Sequence, residues 1–258
     1  MFPATPQFAA ALHILAELRA ASYEAYLAGG CVRDLLLGRE PHDYDVATSA
    51  TPDVVLRMFP RTFAVGAHFG VVLVASNEEV EQPTEVATFR SDGVYSDGRH
   101  PDGVRYTLSA EEDVRRRDFT INGLLLDRLQ FSKQTFAVRE GLREGLREGL
   151  IDHVGGLADL DAGVIRAIGD PVLRFEEDHL RMLRGARFAA RFGFKLEPQT
   201  AAAMRQLAAK TAAVSRERVR DELTKMLTEG HARRAFELLD ETGLLVEVLP
   251  EIARMKGV

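Results

Sequence analysis

The chain has 258 residues, a formal net charge of −6, 46% hydrophobic and 28% charged residues, a balance that suits a folded soluble protein and excludes disordered and collagen-like classes. No apolar run reaches the roughly 20 residues that a helix needs to span a bilayer. The single cysteine, Cys31, excludes an internal disulfide and a cysteine metal cluster and suits a reducing compartment, so a cytoplasmic location is expected. The charge is unevenly spread, because residues 181–220 carry ten basic side chains against the two acids Glu197 and Glu217. Only five of the 33 basic residues are lysines, and arginine is the side chain suited to forked contact with phosphates and base edges. A solvated helical face or an arginine-rich codon usage accounts equally well for that excess taken alone.

In chain order, the N-terminal stretch to Leu27 opens as an amphipathic helix. EAYLAG then reads as a strand, CVRDLLLG as a short helix and HDYDVAT as a second strand, and a helix opens at Thr51 with Pro52 in its first turn. VGAHFGVVLVAS and TEVATF are β-rich runs at hairpin-like distance, followed by a Gly, Asp and Ser-rich loop from Arg90 to Gly103. Ser109 and Glu112 have capping-box spacing, so a helix is expected from Ala110. The segment REGLREGLREGL (139–150) is a four-residue unit repeated in a connecting loop. From Pro171 the signals are helical, with Leu180, Leu183, Ala186 and Ala190 as an apolar stripe. The expectation is α+β: a mixed α/β domain over 1–150 followed by an all-α domain over 151–258.

Candidate chemistry gathers at four places. Asp43 and Asp45 flank Tyr44 in a strand-like run, where alternate side chains share a face, and two hard oxygens at that spacing suit Mg²⁺. Upstream, Gly29 and Gly30 open a helix whose free N–H groups favour phosphate, with Arg33 one turn in. Glu85, on a later strand, offers a third acid. Arg115, Arg116 and Arg117 repel one another unless a triphosphate, or the acids Glu111, Glu112 and Asp113, neutralises them. On a helix, Asp178, Arg181, Arg184 and Arg187 recur every third residue, an acceptor followed by three forked donors that can match a nucleobase edge or form a surface row of ion pairs.

In this order, GGCVRDLLLGREPHDYD, TEVATFR, RRRDFTINGL, EDHLRMLRGARFAARFGF and SRERVRDEL resemble the class II tRNA nucleotidyltransferases, the CCA-adding enzymes and their relatives, which include bacterial poly(A) polymerases. The resemblance covers roughly residues 25 to 250. It implies a polymerase-β-like head with a mixed sheet, two Mg²⁺ ions and a nucleoside triphosphate, and a helical neck that selects the base. Carried over, Asp43 and Asp45 bind metal with Glu85 as third catalytic carboxylate; Gly30 and Arg33 contact phosphate; Arg117 and Asp118 contact triphosphate and ribose. Asp178 and Arg181 read the base, and Arg184 and Arg187 support that helix or the phosphates. Arg90 to Gly103 takes the place of the family's flexible loop, associated with adding the terminal A.

The implied reaction is template-independent addition of CCA, or its last A, to a tRNA 3′ end from CTP and ATP. Poly(A) addition, addition of C only or A only, a small-molecule nucleotidyltransferase and a non-catalytic RNA- or nucleotide-binding module are the rivals; the paired Asp43 and Asp45 count against a simple binder, and the basic stretch against a small-molecule substrate. The chain departs from the family in its 139–150 repeat, in His153, and in stopping at Val258 where relatives continue into body and tail domains, so weak tRNA affinity is expected.

Overall fold

A computed structural model describes residues 5–64, 70–75, 82–92, 104–127 and 145–255. Among them the chain forms two compact units, the first comprising residues up to 92, 104–117 and 122–156, the second comprising 118–121 and residues from 157 onward. Residues 93–103 of the expected loop, the first half of the 139–150 repeat, and the last three residues lie outside the described residues.

In the first unit, helix α1 (Pro6–Ala20) starts where the Thr5 hydroxyl accepts the Phe8 N–H and Pro6 supplies the fixed φ of a first helical position. It buries Phe8, Ile14, Leu15 and Leu18. Arg19, in its last turn, donates to the Ala25 carbonyl at 2.9 and 2.7 Å and to Asp127 at 2.7 Å, fastening the helix to the ends of two strands. The strands are β1 (Ala25–Ala28), β2 (Asp45–Thr48), β3 (Thr62–Phe63), β4 (Val71–Val74), β5 (Thr84–Thr88), β6 (Arg90–Asp92), β7 (Val104–Tyr106), β8 (Leu124–Leu126) and β9 (Leu150–Asp152). Seven of them make one mixed sheet in the order β3-β4-β5-β2-β1-β8-β9, in which β2 and β5 run parallel and the other neighbours antiparallel. Short helices α2 (Gly30–Leu36), α3 (Pro52–Met58) and α4 (Ala110–Arg115) join them. Ala28, Ala47, Phe89, Val114 and Leu125 form a core cluster.

The second unit is mainly helical: α5 (Gly156–Ala162), α6 (Pro171–Glu177), α7 (Leu180–Phe192), α8 (Pro198–Leu207), α9 (Arg216–Thr228), α10 (Ala232–Glu241), α11 (Leu244–Val248) and α12 (Pro250–Arg254). A two-residue parallel pair, β10 (Val164–Ile165) with β11 (Lys195–Leu196), is its small sheet. Helix α7 buries the expected stripe Leu180, Leu183, Ala186 and Ala190, packs against α9 and α10, and ends at Gly193, whose φ of 70° a Cβ would strain. The segment 118–121 is built into this unit: Phe119 bridges Ala167, Thr120 donates from its N–H to the Arg166 carbonyl at 2.9 Å, and its hydroxyl donates to Asp159 at 2.7 Å.

The α+β expectation, with a mixed sheet followed by helices, holds, and four local expectations change. The division falls after Gly156 instead of 150, because β9 pairs with β8 as the sheet's edge. Leu150 therefore opens a strand, and Leu146, in a helical turn over 145–148, is buried, so the end of the repeat is structure and not loop. Arg90–Asp92 is a strand paired with Val104–Tyr106. The helix expected to run through Asp178 is broken there: α6 ends at Glu177, Asp178 is extended at φ −152°, and its side chain accepts the Leu180 N–H at 3.1 Å, the local bond by which aspartate competes with helix.

Gly185, inside α7, has no room for a side chain, since an added Cβ would lie 3.0 Å from the ring of fully buried Phe119. Gly185→Ala gains roughly 1 kcal/mol of helix propensity and loses about 1–3 kcal/mol to overpacking against a rigid ring. The expected outcome is a net loss, read as a melting temperature about 2–4 °C lower per kcal/mol in thermal denaturation.

Candidate active site

In the first unit, Asp43 lies exposed just before β2 and Asp45 is its first residue, half-buried. Tyr44 between them turns inward and packs on Phe8, with ring centroids 5.1 Å apart, which leaves the two carboxylates on one side. The parallel register pairs Val46 with Val86, so Asp45 and Glu85 are neighbours across adjacent strands. The three acids border a cavity of about 240 Å³ together with Gln7, His42 and Thr84.

Like charge and burial dominate the electrostatics here. Burial first, then Asp43 and Glu85, push the Asp45 carboxyl up to about 7, and the Arg117 guanidinium partly opposes them. Burial and Asp43 likewise raise Glu85. No three His, Cys, Asp or Glu side chains among the described residues close into a metal cage. An open pair of carboxylates with surplus negative charge is nevertheless the donor set that Mg²⁺ takes, since that ion keeps several waters and fills its shell from phosphates.

The turn before α2 faces the same arginine. Gly29 has φ 71° and ψ −124°, and an added Cβ would lie 3.0 Å from Arg117 Nη1; Gly30, the residue expected at phosphate, has only an ordinary contact at 3.6 Å. Arg117 Nη2 donates to Asp113 at 2.9 Å, Nη1 donates to the Asn122 carbonyl at 3.4 Å, and its buried Nε has no hydrogen-bond partner. Asp113 also accepts from Arg116 at 2.7 Å, and its carboxyl is held below the usual range by those two guanidinium groups against the opposing effect of burial. Arg115 pairs with Glu111 at 2.6 Å, so the acids of α4 do neutralise the arginine run. Ser109 caps that helix by accepting the Glu112 N–H at 3.3 Å, where the capping-box spacing places it. Arg33 does not project from α2 as a phosphate ligand would: it is 4% exposed and donates to Asp34 at 2.9 Å and to Asn122 Oδ1 at 2.5 Å.

The remaining candidates belong to the second unit. Asp118 accepts its neighbour Phe119's N–H at 2.8 Å and the Arg184 Nε–H at 2.8 Å. Arg181 donates to Glu177 at 2.5 Å and to the Arg174 carbonyl at 3.0 Å. Arg187 is buried and donates to Glu222, also buried, at 2.6 Å, which makes it a tie between α7 and α9 and removes it from any ligand surface. Asp178 receives both arms of Arg218, at 3.1 and 2.7 Å. The four residues therefore do not form one acceptor-and-donor row, because the chain turns at Asp178 and each arginine has its own acid.

Sequence reasoning assigned no role to Asn122 or Arg218, took Gly29 only with Gly30 as a phosphate turn, and took Asp113 only as one of three acids able to neutralise the arginine run. Asp113 was legible as the acid three and four residues before Arg116 and Arg117; Arg218 carries no local signal, being 40 residues from its partner.

The family described as "Poly A polymerase head domain" matches residues 25–166, and the one described as "Probable RNA and SrmB- binding site of polymerase A" matches residues 193–256. The CCA-adding enzyme of Lactobacillus johnsonii is 41% identical over 241 residues, 93% of this chain and 55% of that protein. The Bacillus stearothermophilus CCA-adding enzyme, solved in complex with CTP, superimposes with a TM-score of 0.77 at 40% identity over 93% of this chain and 53% of that one. The Thermotoga maritima CCA-adding enzyme gives a TM-score of 0.71 at 24% identity and bears on the fold alone. The chain spans about half the length of the curated relatives it matches.

The two glycines separate under substitution. Gly29→Ala places a Cβ at positive φ and against Arg117, and costs about 1–3 kcal/mol. Gly30→Ala, at the first position of a helix with ordinary contacts, costs less than about 1 kcal/mol. Urea unfolding of both variants against the parent checks the ordering.

Proposed function

The chain belongs to the poly(A) polymerase head-domain family, and from that premise we propose that it adds nucleotides from CTP and ATP to the 3′ end of a tRNA without a nucleic-acid template. The observation that carries the proposal is the cluster Asp43, Asp45 and Glu85, in which burial and then mutual repulsion raise Asp45, lying within the electrostatic reach of Arg117 at the Gly29 turn. Repelling acids with an arginine beside them are the arrangement that a metal-bound triphosphate would neutralise. The names and the CTP ligand of the relatives support CCA addition over other nucleotidyl transfers.

Asp43 and Asp45 would hold Mg²⁺, as a pair of ions, with Glu85 beside them. Bound there, the metal would polarise the phosphate oxygens and lower the pKa of the attacking hydroxyl. Arg117, held in place by Asp113, would offer its Nε–H to the triphosphate, and the N–H groups at the start of α2 would add donors without charge. Arg33 would act through Asn122, fixing the segment that follows Arg117. Asp118 and Arg184 would meet the ribose as a pair, and Asp178 with Arg181 would select the base, while Arg187 secures the helix that carries them. No helix among the described residues is long and apolar enough to cross a membrane, and a tRNA substrate would place the protein in the cytoplasm.

The test is incubation of the chain with Mg²⁺, a tRNA transcript lacking its CCA end, and labelled CTP and ATP separately and together. The expected products carry two C residues and then one A. Long tails from ATP alone would instead assign poly(A) addition, and growth by C only or A only a partial reaction. Asp43→Asn and Asp45→Asn should each slow transfer at least about a thousandfold, the equivalent of several kcal/mol of lost metal stabilisation.

A further inference from the structure

We propose that Arg218 is a positioning residue for base selection: it fixes the Asp178 carboxylate so that Oδ2 keeps one acceptor site for the amino group of cytosine or adenine. The proposal rests on the reading of Asp178 as the residue that meets the base. A carboxylate offers about four acceptor sites, two on each oxygen. On Asp178 Oδ1, Arg218 Nη1 at 3.1 Å and the Leu180 N–H at 3.1 Å take both. On Oδ2, Arg218 Nη2 at 2.7 Å takes one, and one remains. The forked pair and the backbone bond together fix the plane and direction of the carboxylate, which a single bond would leave able to turn.

One remaining acceptor makes a chemical choice. Cytosine and adenine present an amino donor, at N4 and N6, where guanine and a uracil-type ring present a carbonyl acceptor. An acceptor held at Oδ2 rewards the amino group and repels the carbonyl, which separates CTP and ATP from UTP and GTP. Released from Arg218, the carboxylate could rotate, and the penalty against a carbonyl base would fall.

The Arg218–Asp178 pair is not what docks α9. That helix is already tied to α7 by the buried Arg187–Glu222 pair at 2.6 Å, one helical turn from Arg218, and Arg187 also reaches Glu229 at 3.8 Å. Loss of Arg218 should therefore leave the packing of α9 in place and act on the carboxylate alone.

Equilibrium dialysis of CTP, ATP, UTP and GTP with the full chain in Mg²⁺ tests this, using Arg218→Gln, Arg218→Lys, Asp178→Ala and the double variant Asp178→Ala/Arg218→Gln. Arg218→Gln is expected to lower the CTP-to-UTP and ATP-to-GTP affinity ratios about tenfold, within the range of one forked base contact. Arg218→Lys, which keeps the charge and loses the fork, should lose part of the same ratio, and it decides the matter if Arg218→Gln fails to fold. The double variant should discriminate no worse than Asp178→Ala. Parental ratios in the folded Arg218 variants, with relaxed ratios in Asp178→Ala, overturn the role of Arg218 and leave the base-reading role of Asp178 standing. Unchanged ratios in Asp178→Ala, or no amino preference in the parent, overturn that role and the proposal with it.

Discussion

Three carboxylates at one end of a sheet, opposed by the charge of Arg117, set the terms for the first unit. The crowding follows from strand geometry: alternation puts Asp43 and Asp45 on one side of β2, and the parallel register with β5 brings Glu85 alongside. A fold gains nothing from burying and crowding charge in this way, and Asp45, pushed up to about 7 by burial first and by Asp43 and Glu85 after it, is the visible cost. Arg117 can oppose it because Asp113, nearly fully buried, holds the guanidinium from behind, and because Gly29 has no Cβ to block the approach. The residues that make the site possible are thus an acid and a glycine that would touch no ligand.

The second unit handles charge in the opposite way. Between 181 and 220, Arg181, Arg184, Arg187, Arg191, Arg218 and Arg220 pair with Glu177, Asp118, Glu222, Glu229, Asp178 and Asp221, and every one of those acids lies outside that stretch of sequence. The positive block seen along the chain is therefore largely compensated in space. Arg181, Arg184, Arg187 and Arg218 act first as ties between elements, Arg218 with both arms of its fork, a use to which guanidinium is better suited than lysine. RNA attraction drawn from sequence charge alone overstates the field the folded unit presents.

The elements with strong local rules were legible before folding. The Ser109 cap, Pro52 at a helix start, the buried stripe of α7 and the alternation around Asp43 and Asp45 each rest on a spacing of four residues or fewer, and each stands where local chemistry puts it. What escaped depends on distant partners. Asp178 looked helical because every third residue was charged, yet its bonds to Leu180 and Arg218 hold it extended. Arg33 looked like a surface donor because it follows a glycine turn, yet Asn122, 89 residues away, draws it inward. The edge strand at Leu150 was hidden by a repeat whose composition suggested a loop.

That burial and the crowding of three acids together disfavour the charged form of Asp45 is the central claim, and the pH dependence of stability tests it most directly. The folded Asp45 titrates near 7, above the ordinary 3.8, so the fold favours its protonated form. That preference is fully present below about pH 4 and is lost as pH rises through about 7. Denaturant unfolding of the parent and Asp45→Asn, in chelator from pH 4 to 8, isolates it. The two should be about equally stable at pH 4, and the variant should gain on the parent up to pH 8 by no more than about 4 kcal/mol. A variant that is less stable than the parent at pH 8, or a difference that does not change with pH, would show instead that the site does not disfavour the charge of Asp45 as the account requires.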